Sequence, residues 1–209
     1  MKQRSAAEVP VKSFAYALYV TSAAYLCNSI VNVRRLIALN VTADPEIEIV
    51  VLHAEQPSPS QQLHYLRRLE VRLVTVDSLL QSGDQTWAQS LTKLRIFELT
   101  DYQRIIYFDA DGLVMRNMNH LFQLPSTPVA MPRAYWLDQP FYTDALAVIE
   151  PAADRLSELL DVASATHGFD MDVMNDLDTF LIVPEGLEAR QHQSLQTALQ
   201  KNAAAHLLR

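Results

Sequence analysis

The chain reads as an α/β fold with a mostly parallel sheet flanked by helices. Three observations predict it. Apolar, β-rich runs alternate with helical spacings along the sequence. A length of 209 residues, 49% hydrophobic and 20% charged, suits one domain with a sizeable core. The sequence shows no internal repeat or low-complexity block that would signal an array.

Each element has its own signature. FAYALYV, Phe14 to Val20, reads as a strand followed by a turn and an amphipathic helix running toward Leu39. The apolar stretch Phe14–Val33 is long enough to resemble a membrane span. Its Thr21, Ser22, Asn28, Ser29 and Asn32 argue against one, and no span is expected. EIEIVVLHAE has a strand core at Ile47–Leu52, ended by the loop QPSPSQ. Leu63, Leu66 and Leu69 recur at helical spacing, and VRLVTVD alternates like a strand. Thr86 to Leu99 predicts a helix with Trp87, Leu91 and Leu94 on one face and Phe97 near it. RIIYF predicts a buried strand, PVAMP and ALAVIE predict short ones, and AADRLSELLDVAS predicts a helix with Leu156, Leu159 and Leu160 inward. Ala189 to Leu208 reads as a further helix. With only 4 Gly, the turns must rely on Pro, Asp, Asn and Ser.

Composition narrows the function classes. A net charge of −7 and a pI near 5.3 disfavour a surface that tracks nucleic-acid phosphates. Cys27 is the only cysteine, which excludes a disulfide framework and a thiolate zinc site; it is expected to be a small buried residue. The segment MKQRSAAEVPVK lacks the apolar core of a signal peptide, so the chain is expected to be cytosolic or a lumenal portion without its targeting region. One sequon, Asn40-Val41-Thr42, permits glycosylation in a secretory compartment.

The informative feature is RIIYFDADGLVM, a strand ending in two carboxylates. Strand side chains alternate, so Asp109 and Asp111 are expected to project together at the sheet's carboxyl end, where open α/β sheets bind ligands. Adjacent carboxylates repel, and a divalent cation removes the conflict. Hard oxygen ligands suit Mg²⁺ or Mn²⁺, which often take one or two carboxylates and leave other positions to water and phosphates. Small Ala110 would let a ligand approach the backbone between them. Both aspartates also fit ordinary loop residues, since D-x-D alone is a weak signal.

The block TKLRIFELTDYQRIIYFDADGLVMRNMNHLF, Thr92 to Phe122, resembles the donor site of the glycogenin-like family 8 glycosyltransferases. It has a Lys-bearing helix, a polar turn, an apolar strand, D-x-D and N-x-x-x-L-F. Weaker similarity covers the first strand and helix, ALAVIEPA, and GFDMDVMND; RAYWLDQPFYTDALAVIEP is most like fungal, Golgi-resident members similar to glucose N-acetyltransferase. The resemblance implies a GT-A fold over residues 14–188, followed by a divergent segment at 189–209. It implies a UDP-sugar donor on Mn²⁺ (or Mg²⁺), transfer to a glycan or other hydroxyl acceptor with retention of configuration, and residence in the Golgi lumen. It leaves the oligomeric state unknown.

Carried over position by position, the resemblance makes Asp109 and Asp111 the metal ligands and Ala110 part of the donor site. Lys93 becomes the donor-side lysine, and Thr21 and Tyr25 the contacts to the nucleotide base. Tyr25 fits a core aromatic equally well, and Arg95 fits a surface residue. Asp170 and Asp172 fall at the acceptor-side carboxylates and become the catalytic pair; Asp170 also fits a helix N-cap. Retaining transfer runs through a carboxylate intermediate or by attack from the leaving-group face, and both routes stay open.

The chain departs from the pattern in four places. Ser22 stands where asparagine is common, and Met171 replaces a glutamine. Thr143-Asp144-Ala145 replaces N-S-G. No H-x-x-G-x-x-K-P segment follows Leu177, and His192 and His206 are not in a comparable setting. A catalytically inactive or weakened nucleotide-sugar-binding relative is therefore one alternative. The other is a phosphatase of the haloacid-dehalogenase type, whose first motif YFDADGL approaches with Asp109 as nucleophile and Asp111 as acid/base; Leu113 stands where that motif needs threonine.

Overall fold

The structure is a computed structural model that describes residues 12–54, 60–79, 90–135 and 142–165. The described residues form one six-stranded sheet. Strands β1 (Phe14–Val20), β2 (Ile47–Ala54), β3 (Arg72–Val76) and β4 (Arg104–Phe108) are parallel, while β5 (Val129–Ala130) and β6 (Leu146–Ile149) complete the sheet antiparallel. The spatial order is β3-β2-β1-β4-β6-β5. Helices α1 (Ala23–Ala38), α2 (Ser60–Arg68) and α3 (Ala153–Ala165) flank it.

Alternation along the strands builds two apolar layers. Tyr16, Leu18, Ile49, Val51, Ile106 and Phe108 meet Leu26, Val33 and Leu36 of α1 and Leu63 and Leu66 of α2. On the other face Ala15, Ala17, Val50, Leu52, Ile105 and Tyr107 meet Ile96 and Phe97 and Leu156 of α3. The central strands are buried on both faces, which is why they read as continuous apolar runs rather than alternating ones.

Order reversal marks where such a sheet is expected to open a ligand crevice. From β1 the chain moves outward through β2 to β3, then crosses back to lay β4 on the other side of β1. The loops after β1 and β4 therefore diverge at a topological switch point, the usual site of ligand binding in such sheets.

Three expectations change. The predicted helix over 86–99 is, where described, a 3₁₀ helix at Ser90–Glu98. Its three-residue turn aligns Leu91, Leu94 and Phe97; Leu91 is buried, and Leu94 and Phe97 pack into the apolar layer through a tighter coil. Cys27 is exposed rather than buried. The inward stripe of α1 runs through Leu26, Ser29, Asn32, Val33 and Leu36, and Cys27 follows Leu26 by about 100° around the helix. The third change, in how Asp109 and Asp111 project, belongs to the site. Trp87, Asp170, Asp172, His192, His206 and the helix expected over Ala189–Leu208 lie outside the described residues. No helix among the described residues is long and apolar enough to cross a membrane.

Candidate functional site

Strand β4 ends at Phe108, one residue before the first aspartate. Its pairing with β1 runs out at Tyr107 and that with β6 at Phe108, although the Asp109 amide still donates to the Ala145 carbonyl at 3.0 Å. With no ladder to extend it, the chain turns, and the Gly112 amide donates to the Asp109 carbonyl at 3.0 Å. Strand alternation consequently does not carry from Asp109 to Asp111, contrary to the sequence expectation. Asp111 stands exposed on the turn, while the Asp109 side chain is 31% exposed. The turn is tight: a Cβ on Gly112 would lie 3.3 Å from the Asp109 carbonyl oxygen.

Asp109 is held from below and from the side. Tyr107 lies two residues earlier on the same strand face, and its buried hydroxyl donates to Asp109 Oδ1. Lys93, on the 3₁₀ helix, reaches within 4.0 Å of the same oxygen and makes an ion pair with Asp144. The structure therefore brings together Lys93 and Asp109, two of the residues predicted from sequence, and adds Tyr107 and Asp144. Asp144 occupies the altered N-S-G position.

Charge is unbalanced here. Burial pushes the Asp109 carboxyl above its ordinary range; Lys93 and the Tyr107 hydroxyl pull it down, and the negative charges of Asp144 and Asp111 push it up again. Burial, then the Asp109 charge, also raises the Tyr107 hydroxyl well above its ordinary value. One lysine thus faces two carboxylates, with a third acid close enough to be felt. That electrostatic deficit suits a cation.

The donor set fits a hard divalent ion as a partial shell only. Among the described residues, no group of three or more His, Cys, Asp or Glu side chains could hold a metal. Two carboxylates on one turn match an ion that completes its coordination with water and phosphate.

Helix α1 supplies the other wall. Ser22 caps its N-terminus by accepting from the Tyr25 amide at 3.4 Å, a cap that the polar residue before an apolar helix signals. Thr21 follows the last residue of β1, and Tyr25 lies 41% exposed on the first helical turn, which sets aside its core reading. Farther along α1, the buried Asn32 carboxamide donates to the carbonyls of Ala110 and Gly112 and accepts from the Val114 amide. Arg35 donates to the carbonyls of Val114 and Met115. Sequence reasoning missed Asn32, Tyr107 and the ion pair of Asp144. Tyr107 was findable by counting back two residues from Asp109. Asn32 announced itself only as a polar residue inside an apolar helical stripe.

Comparison with known proteins sharpens these features. No protein-family model matches the chain. It is 35% identical over 191 residues to glucose N-acetyltransferase 1 of Gibberella zeae, covering 82% of this chain and 42% of that protein. Rabbit (Oryctolagus cuniculus) glycogenin-1 is 31% identical over 129 residues, covering 57% of this chain and 38% of that protein. The chain thus spans less than half the length of either. Among solved structures, the apo form of the bifunctional glycosyltransferase WbbM superposes with a TM-score of 0.64 at 15% identity, over 83% of this chain and 38% of WbbM. These similarities lie with transferases rather than phosphatases. In its D-x-D block, its sheet order and its likeness to glucose N-acetyltransferase and glycogenin, the chain resembles the glycogenin-like family 8 glycosyltransferases, and its fold is GT-A.

Proposed function

We propose that this chain carries the donor site of a retaining glycosyltransferase that moves a hexosyl or N-acetylglucosaminyl unit from a UDP-sugar to a glycan or other hydroxyl acceptor. The observation that carries the reading is the meeting of Lys93 and Asp109 at the carboxyl end of β4, beside the switch point. Asp109 and Asp111 would hold Mn²⁺ or Mg²⁺, which when bound neutralises charge on the leaving diphosphate.

The residues around that turn divide the remaining work. Lys93 brings a point charge to the diphosphate side and leaves Asp144 to do so. The Tyr107 hydroxyl keeps Asp109 oriented. Thr21 and the exposed Tyr25 ring, at the mouth of the crevice, offer a polar edge and an aromatic face to the uracil ring. Asp170 and Asp172 are proposed for the acceptor side and the anomeric carbon by resemblance alone. The Golgi lumen is the compartment proposed on the same basis.

The test is a panel of UDP- and GDP-sugars with and without Mn²⁺, read by thermal shift and by nucleotide release. Stabilisation by a UDP-sugar that requires Mn²⁺, with slow UDP release, is expected. A UDP-sugar that stabilises without ever releasing UDP would identify a binding relative, and no response to any nucleotide sugar would sink the reading.

A further inference from the structure

We infer that Asn32 is the positioning residue that sets the geometry of the Asp109–Gly112 turn and thereby its affinity for a divalent cation. This rests on the donor-site reading above and deepens it. The two carboxylates of the turn are oriented by different means. Asp109 has side-chain partners in Tyr107 and Lys93. Asp111 is exposed, so its position follows from the backbone on either side of it.

That backbone is held by one side chain. Asn32 Nδ2 donates to the Ala110 carbonyl at 3.1 Å and to the Gly112 carbonyl at 2.7 Å, the residues immediately flanking Asp111. Its Oδ1 accepts from the Val114 amide at 3.3 Å. A carboxamide is the side chain that offers two donors and an acceptor in one rigid plane. Aspartate would face both carbonyls with acceptors, and leucine would keep the volume while leaving three backbone groups unpaired.

The location makes the arrangement costly without a purpose. Asn32 is 2% exposed and sits beside Val33 and Leu36 on the inward stripe of α1. Asparagine is a poor residue for a helix interior, and a buried amide is tolerated only when its hydrogen bonds are made. Arg35, one turn of helix on, extends the grip with Nε to the Val114 carbonyl at 3.2 Å and Nη2 to the Met115 carbonyl at 3.4 Å. Helix α1 therefore clamps a continuous run of backbone from Ala110 to Met115.

Asn32→Leu and the milder Asn32→Ser, which keeps one donor, test the assignment against Val33→Ala, a packing change on the adjacent helix position. Two measurements apply, Mn²⁺ binding by titration calorimetry and amide hydrogen exchange at Val114. Asn32→Leu should weaken Mn²⁺ binding about 10–100-fold, the usual size of a lost supporting interaction around a metal. It should speed Val114 exchange roughly tenfold as that amide loses its buried acceptor. Asn32→Ser should fall between Asn32→Leu and wild type. Val33→Ala should lower the melting temperature and move neither readout.

Mn²⁺ affinity and Val114 exchange unchanged in both Asn32 variants would overturn the inference. Failure of the wild-type chain to bind Mn²⁺ would overturn its cation part together with the proposed function. Exchange separates that failure from a wrong clamp, because the Val114 amide donates to Asn32 Oδ1 whether or not a cation is present.

Discussion

The two ends of β4 both set a cation against carboxylates, Arg104 against one and Lys93 against two, and they are built to opposite purposes. At its start, Arg104 is 9% exposed and donates to the carbonyls of Phe122 and Leu124 and to Glu150, whose other oxygen accepts from Ser126. Burial pushes the Glu150 carboxyl up, but Arg104, Ser126 and the Thr127 amide together hold it below its ordinary range. At the far end, Asp109 shares one lysine with Asp144 and stays above its ordinary range. A carboxylate whose partners outweigh burial is part of the scaffold. One whose burial and like-charged neighbours outweigh its partners stores an unmet demand for positive charge, and such imbalance is characteristic of functional sites.

The contrast breaks most visibly in turnover. Asp109→Asn keeps the shape of the turn but removes the charge, and Mn²⁺-dependent UDP release should fall by about 100-fold or more. An Asp109→Asn variant as active as wild type would remove Asp109 from the chemistry. Arg104→Met attacks the other end. It leaves Glu150 and two carbonyls without their cation and should cost about 2–3 kcal/mol of stability in urea unfolding, with Mn²⁺ affinity unchanged. A loss confined to Mn²⁺ binding would reverse the two roles.

Smallest, and sharpest, is the difference in pH response. The folded chain retains the Asp109 proton to higher pH than the unfolded chain. Its contribution to stability is therefore full below its ordinary value of 3.8 and lost as pH rises through the raised one. Glu150 runs the other way: its contribution is present above 4.5 and lost as pH falls through the lowered value. Without divalent cation, Asp109→Asn should gain stability relative to wild type as pH rises above 3.8. The deficit of Glu150→Gln should shrink as the pH falls below 4.5. Urea midpoints across acidic and neutral pH measure both slopes, and slopes of equal sign would void the comparison.

Much of the architecture was legible. The strands β1 to β6 lie within the segments the sequence pattern marks. The helices α2 and α3 overrun theirs by one residue each, at Ser60 and Ala165, because burial on a fixed face imposes a fixed spacing but does not set an end. The predicted helix containing Lys93 is a 3₁₀ coil instead, since residues three apart are in register for either helix and the sequence does not distinguish them. Lys93 and Asp109, both singled out in the sequence, meet in the fold, whereas the contacts of Asn32 and the pairing of Lys93 with Asp144 left no local signal. Asn32 and Ala110 are 78 residues apart, and Lys93 and Asp144 are 51 apart. No local pattern reports a contact made by chain crossing.

By itself, then, the sequence determined that an apolar α/β chain would follow a buried strand with D-A-D, with a lysine on the segment before that strand. Both are consequences of local spacing and residue chemistry. Tertiary structure alone decided that this strand would lie beside β1, that α1 would clamp its turn through Asn32, and that Asp144 would compete with Asp109 for Lys93. Those outcomes depend on strand order and on which backbone groups lose water together, and neither is set until the sheet has assembled.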